Sequence, residues 1–214
     1  FYLLVRCLMA EHLQEVSKDK LMYWALDRLS PIGGMDPVIK GTPKIINVPD
    51  GKAIEFSGNG DGLFFRENPL DGLKEFTIEL RFRPDKGGLP EQRFFHFGYA
   101  TGNRVLFETR LTESGNWFLD TFVASGESEC TLFNSDFLHP VDYWYHLALS
   151  CDGSEQVNYV DGQVEQRGTT SFKPIDGGGL SIGVRLNQVC WFKGAIAEVS
   201  ISPKSIEPAD FSLL

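Results

Sequence analysis

No stretch of this chain approaches the ~20 consecutive apolar residues of a membrane-spanning helix, and cations are outnumbered, with 20 Lys and Arg against 29 Asp and Glu. The formal charge of -9 argues against a nucleic-acid backbone or an anionic membrane surface as the main partner, because both demand concentrated positive charge. Direct membrane insertion is not expected, whereas neutral or cationic ligands and bound calcium remain open. Cysteine is also scarce. The four present (Cys7, Cys130, Cys151, Cys190) are too scattered for a metal knuckle, and their even number permits disulfides as readily as four buried thiols. Catalytic signatures are missing: there is no Gly-x-Ser-x-Gly, no phosphate loop and no His-Glu-x-x-His. Helical periodicity is confined to residues 1–20, where Leu4, Cys7, Leu8 and His12 lie near one face. A short helix is expected there, as an N-terminal extension. Arg6 and Glu11 interrupt its apolar run, which favours an upstream linker over the tail of a signal peptide. A first residue of Phe1 fits a piece of a longer protein.

What the chain does have is aromatic residues and turn formers. Its 17 Phe can fill a large core, and its 22 Gly and 11 Pro imply many turns, a balance that favours sheets over helices. Runs rich in β-branched and aromatic residues follow one another at short spacing: 21–26, 53–57, 62–65, 76–83, 93–98, 105–112, 117–125 and 129–133, then 143–150, 156–160, 163–167, 180–186 and 191–201. Residues 30–42, with Pro31, Gly33, Gly34 and Pro37, read as loop. With no internal repeat and no second composition, residues 21–214 form a single expected domain, an all-β sandwich.

The most informative stretch runs from Tyr143 to Gly168. Two Asp-Gly pairs, Asp152-Gly153 and Asp161-Gly162, separate three strand-like runs, and such pairs suit the left-handed dihedrals of hairpin turns. Trp144-x-His146-x-Ala148, then Asp152-Gly153, then Tyr159-Val160-Asp161-Gly162 resembles the laminin G-like domains of the concanavalin A-like lectin/glucanase superfamily. Leu21 to Leu26 resembles the family's opening strand, Gly194-Ala195-Ile196-Ala197-Glu198-Val199 its final one, and the resemblance extends from about Met22 to Phe211. It implies a jelly-roll sandwich of two antiparallel sheets, a concave face where carbohydrate-active members bind glycans, and an extracytoplasmic or secreted setting.

Candidate chemistry falls on the hairpin from Val105 to Val123. A three-residue loop Glu113-Ser114-Gly115 places Thr112 opposite Asn116, so that Arg110 faces Phe118 and Glu108 faces Asp120. Paired carboxylates repel across strands unless a cation such as Arg110 compensates. They are also what glycoside hydrolysis needs, a proton donor with a nucleophile or base, so Glu108 and Asp120 are the catalytic candidates if the protein is an enzyme. Alternation adds His96, Arg185 and Asn187 to the same face, with Phe118, Phe122 and Trp191 as an apolar platform for a sugar ring. The compact Glu-x-Asp-x-x-Glu run of the glucanase-like hydrolases is absent, which ranks binding above cleavage. Asn59 and Asp61 in Gly58-Asn59-Gly60-Asp61-Gly62 are the calcium-ligand candidates, sited where the family carries a Gly-x-x-Asp motif; an Asx-type turn explains them equally. Trp144 and His146 read as structural, Trp144 filling the space between the sheets. The function expected is non-catalytic carbohydrate recognition by a module of a larger protein. A glycan-cleaving enzyme is the first alternative, and a protein-protein or scaffolding module the second.

Overall fold

The computed structural model describes residues 21–214. The helix expected over 1–20, and Cys7 with it, lies outside the described residues. Two eight-stranded sheets make up the fold. In the first, β14 (Gln163–Thr169), β13 (Glu155–Val160), β12 (Tyr145–Cys151), β6 (Phe76–Pro84), β16 (Lys193–Ser202), β4 (Gly51–Ser57) and β3 (Lys44–Val48) lie side by side, and β1 (Met22–Ala25) adds to β16. In the second the order is β10 (Ser128–Phe133), β9 (Asn116–Ser125), β8 (Arg104–Leu111), β7 (Glu91–Gly98), β15 (Gly179–Ile182), β5 (Gly62–Phe65) and β2 (Val38–Lys40), with β11 (His139–Pro140) beside β9. Neighbouring strands within both sheets are antiparallel, the jelly-roll sandwich that the sequence leads one to expect.

Alternation explains the core. Every second residue of the central strands is a large apolar side chain turned between the sheets. Phe82 sits at the middle, stacked on Phe94 at 4.9 Å between ring centroids and edge-on to Trp117 at 5.0 Å. Such ring pairs add about 0.5–1.5 kcal/mol beyond the area they bury. The Asp161-Gly162 turn has positive φ at both residues, 48° and 73°, as its sequence requires.

Several local expectations need correction. The stretch 30–42 is not all loop: Val38–Lys40 pairs with β5 as an edge strand too short and too exposed to show periodicity. The strand expected over 180–186 stops at Ile182, because Gly183 turns away with φ of 84°, and a Cβ there would lie 2.3 Å from the Phe56 ring. The segment between β15 and β16 therefore passes over His96 on the outer face of the second sheet before Phe192 returns to the core, and Trp191 belongs to that segment, not to a strand. Trp144 does not fill the space between the sheets. It packs on Ala53, Ala195 and Ala197 on the outer face of the first sheet, while the fully buried Trp117 occupies the interior.

Candidate functional site

Hairpin geometry brings together the pair that the sequence marks. Thr112 and Asn116 close a loop with Gly115 at φ 79°, and the register follows: Glu108 opposite Asp120, Arg110 opposite Phe118. Both carboxylates lie on the outer face of the second sheet, yet the side chains of Glu108 and Asp120 are only 4% and 3% exposed. Arginines clamp them. Arg93 donates to Glu108 at 2.9 Å, and Arg110 reaches Asp120 at 2.7 Å, Glu108 at 3.4 Å and Glu91 at 2.5 Å. Burial, and for Glu108 also the negative charge of Asp120, holds both acids above the ordinary carboxylate range despite these cations. Each Glu108 oxygen already has a guanidinium partner.

The aromatic groups here differ from the platform expected. Phe118 is buried, and the more open rings are capped by cations: Arg104 lies 4.4 Å from the Phe122 centroid, Arg110 5.4 Å from Phe133, and Lys40 5.7 Å from Trp191. His96 does face this side, but the crossing segment covers it completely. Its Nδ1 accepts from the Leu186 N–H and its Nε2 donates to the Tyr99 carbonyl, and burial pushes its pKa down to about 4. It is a neutral brace for the 183–192 segment and is closed to ligand. Arg185 is half-buried beside Arg104, and Asn187 is exposed.

Asp61 is buried and accepts main-chain N–H groups with both oxygens, from Thr42 at 2.7 Å and Ser57 at 2.9 Å. This is the turn-bracing reading of the Gly-rich loop, and it leaves the carboxylate little to offer a cation; Asn59 stays exposed. Among the described residues no group of three or more His, Cys, Asp or Glu side chains is placed to hold a metal, and Cys130, Cys151 and Cys190 are free thiols.

A second polar site, which the sequence reading missed, lies on the outer face of the first sheet. The C-terminal segment covers half of that face. Ser212 and Leu213 N–H groups and His146 all bond to the buried Glu79, and Phe211 packs on His146 and Tyr159. Burial would raise Glu79, but these hydrogen bonds outweigh it and leave its pKa lowered. The structural reading of His146 fits these contacts. Among the described residues nothing covers the part of this face beside β1. There, a β-bulge in β16 makes Ala197 an extra residue between the pairs Ile196–Phe82 and Glu198–Arg81, so both Ala197 and Glu198 face outward. The result is a cleft of about 280 Å³ floored by Ala25 and Ala197 and walled by Tyr23, Trp144, Arg81 and Asp50. Glu198 is its hub: it accepts from the Tyr23 hydroxyl at 2.7 Å and pairs with Arg81 at 3.2 Å, and Arg81 also reaches Asp50 at 3.5 Å. That hydrogen bond, with some burial, raises the Tyr23 pKa to about 12. One sequence signal was present. The inward apolar residues Ile196, Val199 and Ile201 break their two-residue spacing at the bulge.

Two antiparallel sheets in this order, each with a polar outer face, are the architecture of a concanavalin A-like domain. A family model described as the concanavalin A-like lectin/glucanases superfamily matches residues 57–211, in its laminin G group, and the chain belongs to that family. No curated protein matches it. Among solved structures it is similar to domain 4 of AbnA, an extracellular arabinanase from Geobacillus stearothermophilus solved with arabinotriose, at 22% identity and a TM-score of 0.66, covering 89% of this chain and 95% of that one. It is also similar to the receptor binding domain of botulinum neurotoxin C/D mosaic serotype, at 12% identity and a TM-score of 0.65, covering 90% of this chain and 50% of that one. A third is the enzymatically active domain of bacteriophage CBA120 tailspike protein 2, at 18% identity and a TM-score of 0.62, covering 80% of this chain and 29% of that one. These likenesses establish the fold.

Proposed function

We propose that the protein is a carbohydrate-recognition module and that the cleft on the first sheet receives the sugar. The observation that carries this reading is the pairing, in one open cleft, of aromatic walls with a fixed charged hub. Tyr23, 52% exposed, offers a ring against which the C–H face of a pyranose or furanose can lie, and the half-buried Trp144, with Arg83 5.5 Å from its ring centroid, adds an aromatic wall. Glu198, Arg81 and Asp50 supply charge-assisted hydrogen bonds to its hydroxyls, and the Tyr23 and Arg81 contacts hold the Glu198 carboxylate in place before ligand arrives. The small side chains of Ala25 and Ala197 leave the room that a ring needs.

Recognition without cleavage is the reading favoured for the carboxylate pair on the second sheet, because Glu108 is engaged through both oxygens and Glu108 and Asp120 are shut from solvent. A proton donor and nucleophile have to reach a glycosidic bond. An extracytoplasmic setting, as a part of a larger protein, is part of the proposal and is supported by the family. The test is a glycan array with the intact domain, followed by calorimetric titration of a hit against Trp144→Ala and Glu198→Gln. The expected result is binding in the wild type and at least an about tenfold loss in each folded variant. Binding that both variants retain would move the site elsewhere.

A further inference from the structure

The guanidinium groups on the second sheet are not all neutralised. Arg93 and Arg110 are paired with Glu91, Glu108 and Asp120, but Arg104 and Arg185 form no ion pair among the described residues. They lie close enough for the charge of Arg185 to depress the pKa of Arg104, after the larger effect of burial. Each donates to a main-chain carbonyl, Arg104 to Gly102 at 2.6 Å and Arg185 to Ala100 at 3.0 Å. The Nε of each is cut off from solvent with no acceptor among the described residues. Those Nε groups are closed to a ligand as well, but two adjacent guanidiniums without carboxylate partners repel each other, and an anion held between their terminal N–H groups would offset that repulsion.

Space for it exists. Both arginines line a cleft of about 180 Å³ together with Phe122 and Thr131; Glu108 and Asp120 also border it, but their carboxylates are buried and already paired with Arg93 and Arg110. The Arg104 guanidinium lies over the Phe122 ring, 4.4 Å from its centroid, a cation–π contact that helps to position it. His96, under the crossing segment, is neutral, and Glu129 acts on Arg104 through its charge but remains exposed and outside any ion pair among the described residues. The fork of a guanidinium matches a planar or tetrahedral oxyanion, which it binds through parallel N–H bonds.

We infer that Arg104 and Arg185 form an anion subsite for an acidic saccharide, one carrying a carboxylate or a sulfate ester. This subsite is separate from the aromatic cleft and does not depend on it. A protein of net charge -9 repels polyanions at long range, so the subsite selects a ligand with an isolated charge placed between the two guanidiniums and does not collect acidic polymers indiscriminately.

The test is calorimetric titration of the intact domain with a galacto-trisaccharide carrying one galacturonate residue, the same trisaccharide carrying one sulfate ester and the corresponding neutral trisaccharide, at low and at raised salt. Binding of either acidic probe, weakened by salt, with the neutral sugar at least about tenfold weaker, is expected; which acidic probe wins distinguishes carboxylate from sulfate. Arg104→Gln and Arg185→Gln should each lose about tenfold, Arg104→Lys less, and Glu129→Gln should bind more tightly, a gain that a merely structural role for Arg104 would not produce. Thermal melts of the same variants identify any loss due to unfolding. Lys74→Gln, at an exposed cation outside both clefts, should leave acidic binding unchanged, which separates loss of the subsite from a general loss of positive charge. Absence of binding to both acidic probes at millimolar concentration, or equal binding by the folded Arg→Gln variants, overturns the inference.

Discussion

Replacing Arg110 by methionine keeps the alkyl stem and removes the one charge that touches three carboxylates. Its guanidinium lies 2.7 Å from Asp120, 3.4 Å from Glu108 and 2.5 Å from Glu91. Asp120 would then be a buried anion with no cation in contact, and Glu108 would keep only Arg93. Breaking a buried pair from one side costs about 3–5 kcal/mol, and with Arg110 itself 26% exposed the lower end of that range applies. Glu108→Gln removes a charge from the other side of the network. It relieves the repulsion with Asp120 and should cost less than about 1.5 kcal/mol. The pH dependence has a definite sign. Both acids already have raised folded-state pKa values, so their ionisation opposes folding above those values, and losing Arg110 strengthens that opposition. Protonation removes it, and the stability gap between Arg110→Met and wild type should therefore narrow from about pH 7 to about pH 5. Urea denaturation at the two pH values measures this. A gap below about 1 kcal/mol at pH 7, or one that widens in acid, would refute the buried-network account.

Other expectations are simpler. His96, with its pKa lowered to about 4 by burial, should show no histidine NMR titration above about pH 5; between its unfolded value near 6.5 and about 4 the folded state should lose stability as pH falls, by up to about 3 kcal/mol. Asp61→Ala should cost about 2–3 kcal/mol by orphaning the Thr42 and Ser57 N–H groups, and calcium should leave the wild-type melting temperature where it is; a rise on adding calcium that Asp61→Ala abolishes would make Asp61 a metal ligand. Gly183→Ala combines a φ of 84° with a Cβ 2.3 Å from the Phe56 ring, so it should cost more than about 2 kcal/mol in denaturant unfolding.

The sandwich was legible because its signals are local. Alternation within strands and the Asp-Gly turns determine which face each residue takes, and the Glu113-Ser114-Gly115 loop determines the Glu108–Asp120 register. What covers a face is not local. His96 alternates correctly with Phe95 and Phe97, yet residues 183–192, some 90 positions away as measured by the Leu186–His96 hydrogen bond, seal it. Trp144 was misplaced for a related reason: it lies before the start of β12, where alternation no longer fixes its side, and a patch of alanines from β4 and β16 provides its seat. The aromatic cleft was hidden in the same way. Tyr23, Asp50, Arg81, Trp144 and Glu198 come from separate segments, and only the Ala197 bulge, visible as a slipped apolar spacing, hinted that Glu198 and its neighbour share a face.

Carbohydrate recognition by this domain turns on the cleft between Tyr23 and Trp144. Titrating a glycan identified by array into the wild type and into Glu198→Gln, which keeps the shape of the hub and removes its charge, tests it most directly. Saturable binding by the wild type and an interaction at least about tenfold weaker in the variant, at unchanged melting temperature, are expected. Equal affinity in the two proteins would contradict it.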